Sequence, residues 1–480
     1  MPSSLTPAHR APTPLATGFA PPDPDLWQAQ AEKTLKGAPL ATLTRRSLED
    51  IPVEPFYPAR QAATPAPAKA AAGWDIRTLV RDADASAANE AALGDLRGGA
   101  DSVLLRLDPT GATGVAVGSA EELARVLDGV VLDAADVALD AGFLGAKAAD
   151  WLAAAAKGAP SARLALHLDP LSAFAEAGAS PGPIESHVIA AATVGARLAP
   201  VHPRASLFLA SGGAAHEAGG GEAAELALAA ASALAYVKAL VRAGVDPADA
   251  FERIVLGLAV DTDVLFSVAK LRAARRVWAR IADACGVDAP ARIEARSSAR
   301  MIAKADPWTN MIRLTAAGFA GAVGGADAVV LGAFTDALGP PAEFARRQSR
   351  NVQLVLREEA GLGRVIDPAG GAAALEALTD ELARGGWAHL QEIEAAGGVV
   401  RALETGVVAR WVAQTRAEVA ARLRGRDLKL LGVTDFRPDA ETHVDLAEAA
   451  SAGASAPSPR LPGPDSVCPA LAPIRLEALA

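Results

Sequence analysis

A glycine-rich segment that contains one histidine is the part of the chain best suited to chemistry on an anionic substrate. It covers residues 211–221 and leads into a helical pattern at 222–242. The free N–H groups at a helix N-terminus can hold a phosphate group, and His216 within the segment is a candidate general acid or base. Glycine-rich turns between strands and helices are common, however, and a loop histidine without an identified partner is more often structural.

Two further groups of charged residues follow or lie in predicted strands. Asp261 and Asp263 could form a metal or acid/base site, but an Asp-Thr-Asp sequence before a helix is more simply explained as an N-cap with a first-turn acid. Glu294 lies between Arg292 and Arg296, and it could form an ion pair with either of them.

The elements that must position these residues alternate between apolar strands and long helices. This alternation indicates a parallel sheet covered by helices. About eight such units favour a closed (β/α)8 TIM barrel over a doubly wound open sheet. Catalytic groups in such a barrel stand at the C-terminal ends of the strands. Strands are predicted at 102–107, 136–140, 163–168, 206–210, 254–260, 292–296, 328–331 and 364–366, and clear helices at 120–127, 222–242, 264–284, 309–323 and 341–359.

The helix predicted at 264–284 carries several basic residues. Leu271, Ala274 and Trp278 share one face of this helix by their spacing. The basic residues at 270, 272, 275 and 276 fall on the other faces. We therefore predict a surface exposed to solvent or to a partner, and not a phosphate site.

The composition excludes several classes of function. The net charge is −10 and no run is rich in lysine and arginine, so the chain lacks the basic surface that nucleic-acid binding requires. No apolar stretch free of charge and glycine is long enough to cross a membrane, and the N-terminus does not resemble a secretory signal. Cys285 and Cys468 are far apart, which predicts two reduced thiols in a cytoplasmic protein.

Composition also divides the chain into three parts. Residues 1–73 form an N-terminal arm and a Pro/Ala-rich linker, and about the first 24 residues are expected to be disordered. Residues 74–430 contain the barrel and additional C-terminal helices. Residues 431–480 form a tail whose Ala/Ser/Pro-rich composition is typical of a linker.

A series of short motifs in the C-terminal third of the chain carries a family resemblance. The motifs are Asp306-Pro307-Trp308-Thr309-Asn310, Gly324-Gly325-Ala326-Asp327, Glu343-Phe344-Ala345-Arg346-Arg347, Ser349-Arg350-Asn351-Val352-Gln353 and Asp367-Pro368-Ala369-Gly370-Gly371. In this order and spacing they resemble the substrate barrel of the methylmalonyl-CoA mutase family. The resemblance extends over roughly residues 25–435.

The resemblance implies a reaction and a cofactor. Family members interconvert methylmalonyl-CoA and succinyl-CoA by a radical rearrangement, and adenosylcobalamin supplies the radical. They pair the barrel with a cobalamin-binding domain, which this chain is expected to lack. The sequence contains no Asp-x-His-x-x-Gly, the motif whose histidine ligates cobalt. We therefore expect neither cobalamin nor a metal on this chain.

At the positions of the family's catalytic residues this chain carries other residues. When the Glu-Ala-Gly motif at 217–219 is aligned, the family's Tyr-His pair falls on Gly213 and Ala214, whose side chains can neither transfer a proton nor donate a hydrogen bond. When the Asp-Pro motif at 306–307 is aligned, a second catalytic histidine falls on Glu294. A carboxylate cannot replace a neutral imidazole, so no catalytic residue is expected.

Four residues could belong to the remains of a pocket. His216 and Glu217 lie in the glycine-rich segment, where the pattern His-x-x-Gly is similar to the family's small, non-catalytic subunit. Asp336 and Gly339 fall where the catalytic chains contact cobalamin. The alignment supports the position of these residues but assigns them no function.

The resemblance implies that this chain is the small, non-catalytic subunit of a heterodimeric methylmalonyl-CoA mutase. Its partner would be the larger catalytic subunit, which would carry adenosylcobalamin and bind the acyl-CoA substrate. The strip from Trp27 to Tyr57 is the candidate for wrapping that partner. Two alternatives stay open: an active acyl-CoA mutase barrel that uses a separate cobalamin-domain polypeptide, and a non-enzymatic barrel that binds CoA esters or has a regulatory role.

Overall fold

A closed barrel of eight parallel strands forms the centre of the molecule, which confirms the predicted TIM barrel. The computed structural model describes residues 23–58, 69, 71–440, 443–448 and 459–480. The strands are β1 (Arg45–Arg46), β2 (Pro52–Val53), β3 (Asp75–Val80), β4 (Ser102–Arg106), β5 (Asp136–Asp140), β6 (Leu164–Leu168), β7 (Ser206–Ser211), β8 (Ile254–Val260), β9 (Ile293–Ser297) and β10 (Ala328–Leu331). Strands β3 to β10 follow one another around the barrel, and β10 closes it against β3.

The described helices comprise one in the arm and those that follow the barrel strands and form the outer layer. They are α1 (Pro24–Thr34), α2 (Ala85–Arg97), α3 (Ala120–Val126), α4 (Gly145–Ala155), α5 (Pro170–Ala177), α6 (Ile184–Leu198), α7 (Gly213–Glu217), α8 (Glu222–Arg242), α9 (Pro247–Glu252), α10 (Val264–Ala284), α11 (Thr309–Val323), α12 (Glu343–Leu354), α13 (Ala373–Ala395), α14 (Val399–Glu404) and α15 (Val407–Gly425). Helices α8, α10 and α11 have the predicted bounds. The Asp263 carboxylate accepts a hydrogen bond from the Phe266 N–H at 3.3 Å, which confirms the N-cap interpretation.

The eighth strand of the barrel differs from the prediction. The strand predicted at 364–366 is not formed at these described residues: Val365 is 56% exposed and Ile366 is 43% exposed, after a 3-10 turn at Leu362–Arg364. Strand β3 takes the eighth position, between β10 and β4. Its first half carries Asp75 and Arg77. These charges interrupt the apolar run, so a search for apolar runs does not find this strand.

Two long helices of the outer layer, α8 and α10, are largely buried. Among the described helices α8 alone is long and apolar enough to cross a membrane, and 78% of its most apolar window is buried inside the protein. The prediction of an exposed basic surface on α10 is wrong, because Lys270, Arg272 and Arg275 are buried. Helix α13 packs against both α8 and α10, and its Glu376 forms an ion pair with Arg272. A helix pattern read alone does not reveal such partners.

The described end of the tail packs on the barrel and differs from the linker expected there. Leu471 is only 2% exposed, and Val467 forms a β-bridge with Ala179. The Ile474 N–H donates a hydrogen bond of 2.8 Å to the Glu217 carbonyl at the end of α7. Backbone hydrogen bonds and apolar burial thus hold residues 459–480 against the barrel. The disorder expected at the N-terminus concerns residues that lie almost entirely outside the described part.

The second half of the arm is attached to this chain's own barrel. Arg422 of α15 donates hydrogen bonds of 3.0 Å to the carbonyls of Arg46 and Ser47. The Glu49 carboxylate accepts hydrogen bonds from the Ala223 N–H at the start of α8, the shorter being 2.9 Å. A carboxylate is favoured there by the free N–H groups and the helix dipole.

Docking of this arm is expected to weaken as the pH rises towards neutrality. Burial raises the pKa of Glu49 from 4.5 to about 7, and the nearby Glu222 adds to this effect. The docked arm therefore binds a proton more tightly than the released arm. The extra stability of the docked arm is complete below the pKa that Glu49 has in the released arm. It is lost as the pH rises through the pKa that Glu49 has in the docked arm. Hydrogen exchange of amides 45–51, corrected for intrinsic rates, should show more frequent opening at about pH 7.5 than at about pH 5.5.

The matched variants for this prediction are Glu49→Gln and Glu54→Gln. In the first variant the side-chain amide would still accept hydrogen bonds from the helix N–H groups but would not titrate, so most of the pH dependence should disappear. Glu54 lies in the same arm and accepts a hydrogen bond from the Thr44 hydroxyl at an exposed site, so its variant should behave like the parent chain. Equal pH dependence in all three proteins would refute the role given to Glu49.

Candidate functional site

The glycine-rich segment forms the short helix α7 at the C-terminal end of β7. Gly213 and Ala214 occupy its first two positions. The Gly213 N–H donates a 3.0 Å hydrogen bond to the Ser211 hydroxyl, and Ala214 is buried. Neither residue presents a side chain that can exchange a proton with a substrate. The segment therefore lies where catalytic groups would stand in a barrel, but it lacks such groups at these positions.

His216 is fully buried beneath this turn, beside two carboxylates that the sequence did not reveal, although neither ring nitrogen forms a hydrogen bond with a described residue. Its Nδ1 lies 3.1 Å from a Glu225 carboxylate oxygen, and its Nε2 lies 3.8 Å from an Asp261 oxygen. Burial, together with Arg300 and Lys270 nearby, lowers the pKa of His216 well below its ordinary value. The imidazole is therefore neutral at physiological pH and screened from solvent. This position favours a structural role over acid/base catalysis.

The carboxylates around His216 already have a cation between them. His216, Glu222 and Glu225 offer ligand atoms within 4.8 Å of one another, a spacing that could suit a metal ion. The Lys270 ammonium, however, contacts both glutamates, with 2.5 Å to Glu225. Although burial opposes its charge, the two carboxylates raise the pKa of Lys270 above its usual range. Lys270 thus supplies the positive charge that a metal would bring.

Glu217 holds two loops together at the strand ends. Its carboxylate accepts hydrogen bonds from the Ala299 N–H at 3.1 Å and the Arg300 N–H at 2.9 Å, in the turn that follows β9. Burial raises the pKa of Glu217. Arg300 in turn forms an ion pair with Asp261 at 3.3 Å. Asp261 is therefore part of this network and does not form a metal site with Asp263.

Asp336 and Gly339 line a separate cavity of about 410 Å³ near the ends of β3, β4 and β10. Asp336 forms an ion pair with Arg81 and accepts a 2.9 Å hydrogen bond from the Ala333 N–H. Burial raises its pKa. The residues that line this cavity do not include His216 or Glu217. The structure therefore places the four predicted pocket residues in two groups.

Glu294 points into the barrel and is fixed by charges on both sides. Its carboxylate accepts hydrogen bonds from Arg77 at 2.6 Å and from Arg296 at 2.7 Å, and it lies 3.8 Å from His167. The predicted pairing with Arg296 is confirmed, whereas Arg292 makes no ion pair with it. Although burial opposes ionisation, the neighbouring cations hold the pKa of Glu294 far below its ordinary value. Glu294 is therefore held in its anionic form near neutral pH.

The ion pairs continue across the barrel as a layer that the sequence reasoning missed. Arg296 also binds Asp140 at 3.0 Å, and Asp140 binds Arg106 at 3.1 Å. Together with Arg77 and Glu294, these side chains come from β3, β4, β5 and β9. A signal was present in the sequence, because these charged residues stand at alternate positions of otherwise apolar strands. Residues at alternate positions of a strand share one face.

The tail lies across the same strand ends. Arg475 donates hydrogen bonds to the Asp336 carbonyl at 3.0 Å and to the Ile302 carbonyl at 3.1 Å. Glu477 accepts a 2.6 Å hydrogen bond from the Lys304 N–H. These contacts join the loops after β9 and β10. The face of the barrel on which chemistry would take place is therefore partly covered by the chain itself.

Sequence comparisons relate this chain to known proteins. The family model described as Methylmalonyl-CoA mutase matches residues 95–456. The methylmalonyl-CoA mutase small subunit of Streptomyces virginiae is 37% identical, over 88% of this chain and 70% of the relative. That of Propionibacterium freudenreichii subsp. shermanii is 33% identical over the same shares. The probable small subunit of Mycobacterium tuberculosis (strain ATCC 25618 / H37Rv) is 39% identical, over 76% of this chain and 59% of the relative.

The family match and the barrel lead to the same conclusion. The matched residues 95–456 cover well over half of the chain, and they include the strands and loops that carry Glu294, His216 and Asp336. Two relatives with at least 33% identity are covered over 70% of their length. The chain belongs to the methylmalonyl-CoA mutase family.

Proposed function

We propose that this chain is the small, non-catalytic subunit of a heterodimeric methylmalonyl-CoA mutase. The observation that carries the proposal is the state of Glu294. It stands at the position of a family histidine, is completely buried, and is bound by Arg77 and Arg296. A group fixed as an anion can neither donate a proton nor act as a neutral hydrogen-bond donor to a thioester.

The interior of the barrel supports the same proposal. An acyl-CoA molecule that entered along the barrel axis would have to separate the ion pairs of Arg77, Glu294, Arg296 and Asp140. Breaking buried pairs leaves uncompensated charges, which costs several kcal/mol for each pair. Acyl-CoA binding is therefore assigned to the partner.

The described strand ends do not fit adenosylcobalamin either. His216 is enclosed by Glu225 and Asp261 and cannot reach a cobalt ion outside the barrel. The cavity at Asp336 and Gly339 has about 410 Å³, a volume typical of a small organic ligand. A corrinoid ring is far larger. We therefore assign the cofactor to the larger catalytic subunit, and we place the assembly in the cytoplasm.

The first helix of the arm is the proposed contact with that subunit. Helix α1 buries no residue in this chain, and Leu26 is largely exposed. Trp27 stacks on Phe56 with ring centroids 4.7 Å apart, which joins α1 to the strip after β2. The exposed Leu26 beside this aromatic pair is suited to contact with a partner.

Deletion of residues 1–43 is expected to weaken association with the catalytic subunit by about tenfold or more, because aromatic anchors dominate interface energies. Dissociation constants from calorimetry on the parent and truncated chains would measure this effect. The truncated chain should keep its unfolding temperature, since α1 contributes nothing to the core. Association of equal strength would refute the role of the arm but not the non-catalytic assignment.

Affinity purification of the tagged chain from its native lysate, with mass spectrometry, tests the proposed function. We expect a stoichiometric, larger homologue that carries Asp-x-His-x-x-Gly. Recovery of a small cobalamin-domain protein, followed by turnover with that protein, would contradict the proposal in favour of a split enzyme. Tight binding of coenzyme A by the isolated chain, without any recovered partner, would contradict it in favour of a CoA-ester-binding barrel.

A further inference from the structure

A second cavity opens at the N-terminal mouth of the barrel, opposite the strand ends considered above. It has a volume of about 160 Å³ and is lined by the beginnings of β3 and of β5 to β10. In TIM barrels this face normally serves stability and carries no chemistry. The cavity nevertheless contains an unusual histidine at its inner end.

His167 is held in a strained conformation that turns it towards this cavity. Its φ is +44°, in the left-handed region, although it lies within β6 and is not a glycine. The pairing of β6 with β7 is irregular between Ala165 and Leu168. A left-handed residue of this kind costs about 1–2 kcal/mol, and such strain is concentrated at binding sites.

The imidazole of His167 has no hydrogen-bond partner. The residue is 4% exposed, and neither Nδ1 nor Nε2 forms a hydrogen bond within the described part of the chain. Burial lowers the pKa of His167 to about 4, so the ring is neutral. A neutral imidazole offers one donor and one acceptor. Leaving both unpaired in a buried place is costly, which indicates that something in the cavity binds them.

The other polar groups of the cavity identify the chemistry of that ligand. Each lining carboxylate already has a donor: Asp75 has Arg77, Asp136 has Arg163, Glu294 has Arg77, and Asp327 has Arg275. Among the lining cations, Arg292 feels the charge of Asp327 but lies within 4.0 Å of no described carboxylate, and Arg204 uses one nitrogen to bind the Ser161 carbonyl. The groups without partners are thus mainly donors, and they require a ligand rich in acceptors.

We propose that this cavity is a binding site for a small oxyanion, with hydrogen phosphate as the best match. Arg292 and Arg204 at the rim supply positive charge, and Ser206 adds a hydroxyl inside. The oxygens of hydrogen phosphate can accept hydrogen bonds from the arginines. Its hydroxyl can donate a hydrogen bond to the unprotonated imidazole nitrogen. Sulfate has no hydroxyl and leaves that nitrogen unpaired. The cavity shares Glu294 with the ion-pair layer on which the proposed function rests, but the groups proposed to bind the anion, His167, Arg292 and Arg204, take no part in that argument.

Calorimetric titration of the full chain with inorganic phosphate, at constant ionic strength in chloride, tests the proposal. We expect saturable binding that Arg292→Gln weakens by about tenfold, which is typical for loss of one charge-assisted hydrogen bond. Arg280→Gln is the matched control, since Arg280 is exposed on α10 and pairs only with Asp283. It should bind phosphate like the parent chain.

A second variant tests the histidine itself. His167→Gly tolerates the left-handed conformation and removes both ring nitrogens, so it should remove the preference for phosphate over sulfate. Absence of saturable phosphate binding, or equal binding by the Arg292→Gln chain, would overturn the proposal and leave water as the partner of His167. Equal affinity for sulfate in the parent chain would overturn the role of His167. Coenzyme A could instead bind more tightly than phosphate, and Arg292→Gln could weaken its binding equally. That result would overturn the choice of a small oxyanion and assign the site to a larger ligand.

Discussion

Replacement of Glu294 by alanine is expected to lower the free energy of unfolding by roughly 3–5 kcal/mol. The variant would leave Arg77 and Arg296 facing each other inside the barrel, and both guanidinium groups would lose a bond of 2.7 Å or less. Arg77 would keep Asp75 and Arg296 would keep Asp140. Each buried guanidinium group would nevertheless lose one of its two carboxylates, and a broken buried ion pair is one of the few causes of so large an effect. Urea unfolding followed by circular dichroism would measure it.

The matched control for this variant is Asp283→Ala. Asp283 pairs with Arg280 at 3.2 Å, but both side chains are well exposed. Exposed pairs contribute about 0–1 kcal/mol, so this variant should unfold almost like the parent chain. If Glu294→Ala were as mild as its control, the ion-pair layer would not stabilise the barrel, and its closure of the interior would be in doubt.

Replacement of Lys270 by methionine is expected to have an effect of similar size. Methionine fills much of the same space, but Glu222, Glu225 and the adjacent His216 would lose the cation between them. The loss should be about 3–5 kcal/mol. Lys238→Met on α8 is the control, since Lys238 is half-exposed and only 3.5 Å from Glu394. It should change stability by less than about 1 kcal/mol.

The elements that the sequence predicts best are those whose apolar pattern matches their burial. Helices α8, α10 and α11 have the predicted bounds, and strands such as β8 are apolar throughout because both of their faces are covered. Strand β3 was missed because its inward positions hold charges. Its membership of the barrel depends on partners in β9 and β10 that lie more than two hundred residues away.

The candidate site shows the same limit. Sequence comparison places Gly213, Ala214 and Glu294 on strands and loops of the barrel, since such positions follow from the order of the elements. It could not foresee the partners of His216, which come from α8 and from the end of β8. Nor could the pattern of α10 reveal that its basic residues are buried. Those pairings arise only when separate elements pack together.

Turnover of methylmalonyl-CoA to succinyl-CoA tests the central claim most directly. The purified chain would be assayed with adenosylcobalamin in three forms: alone, with a separate cobalamin-domain protein, and in complex with the larger homologue from the same organism. The account predicts turnover only in the last case, and it predicts that Asp336→Asn in this chain leaves that turnover unchanged. Turnover by this chain without the larger homologue would contradict the claim that it is a non-catalytic subunit.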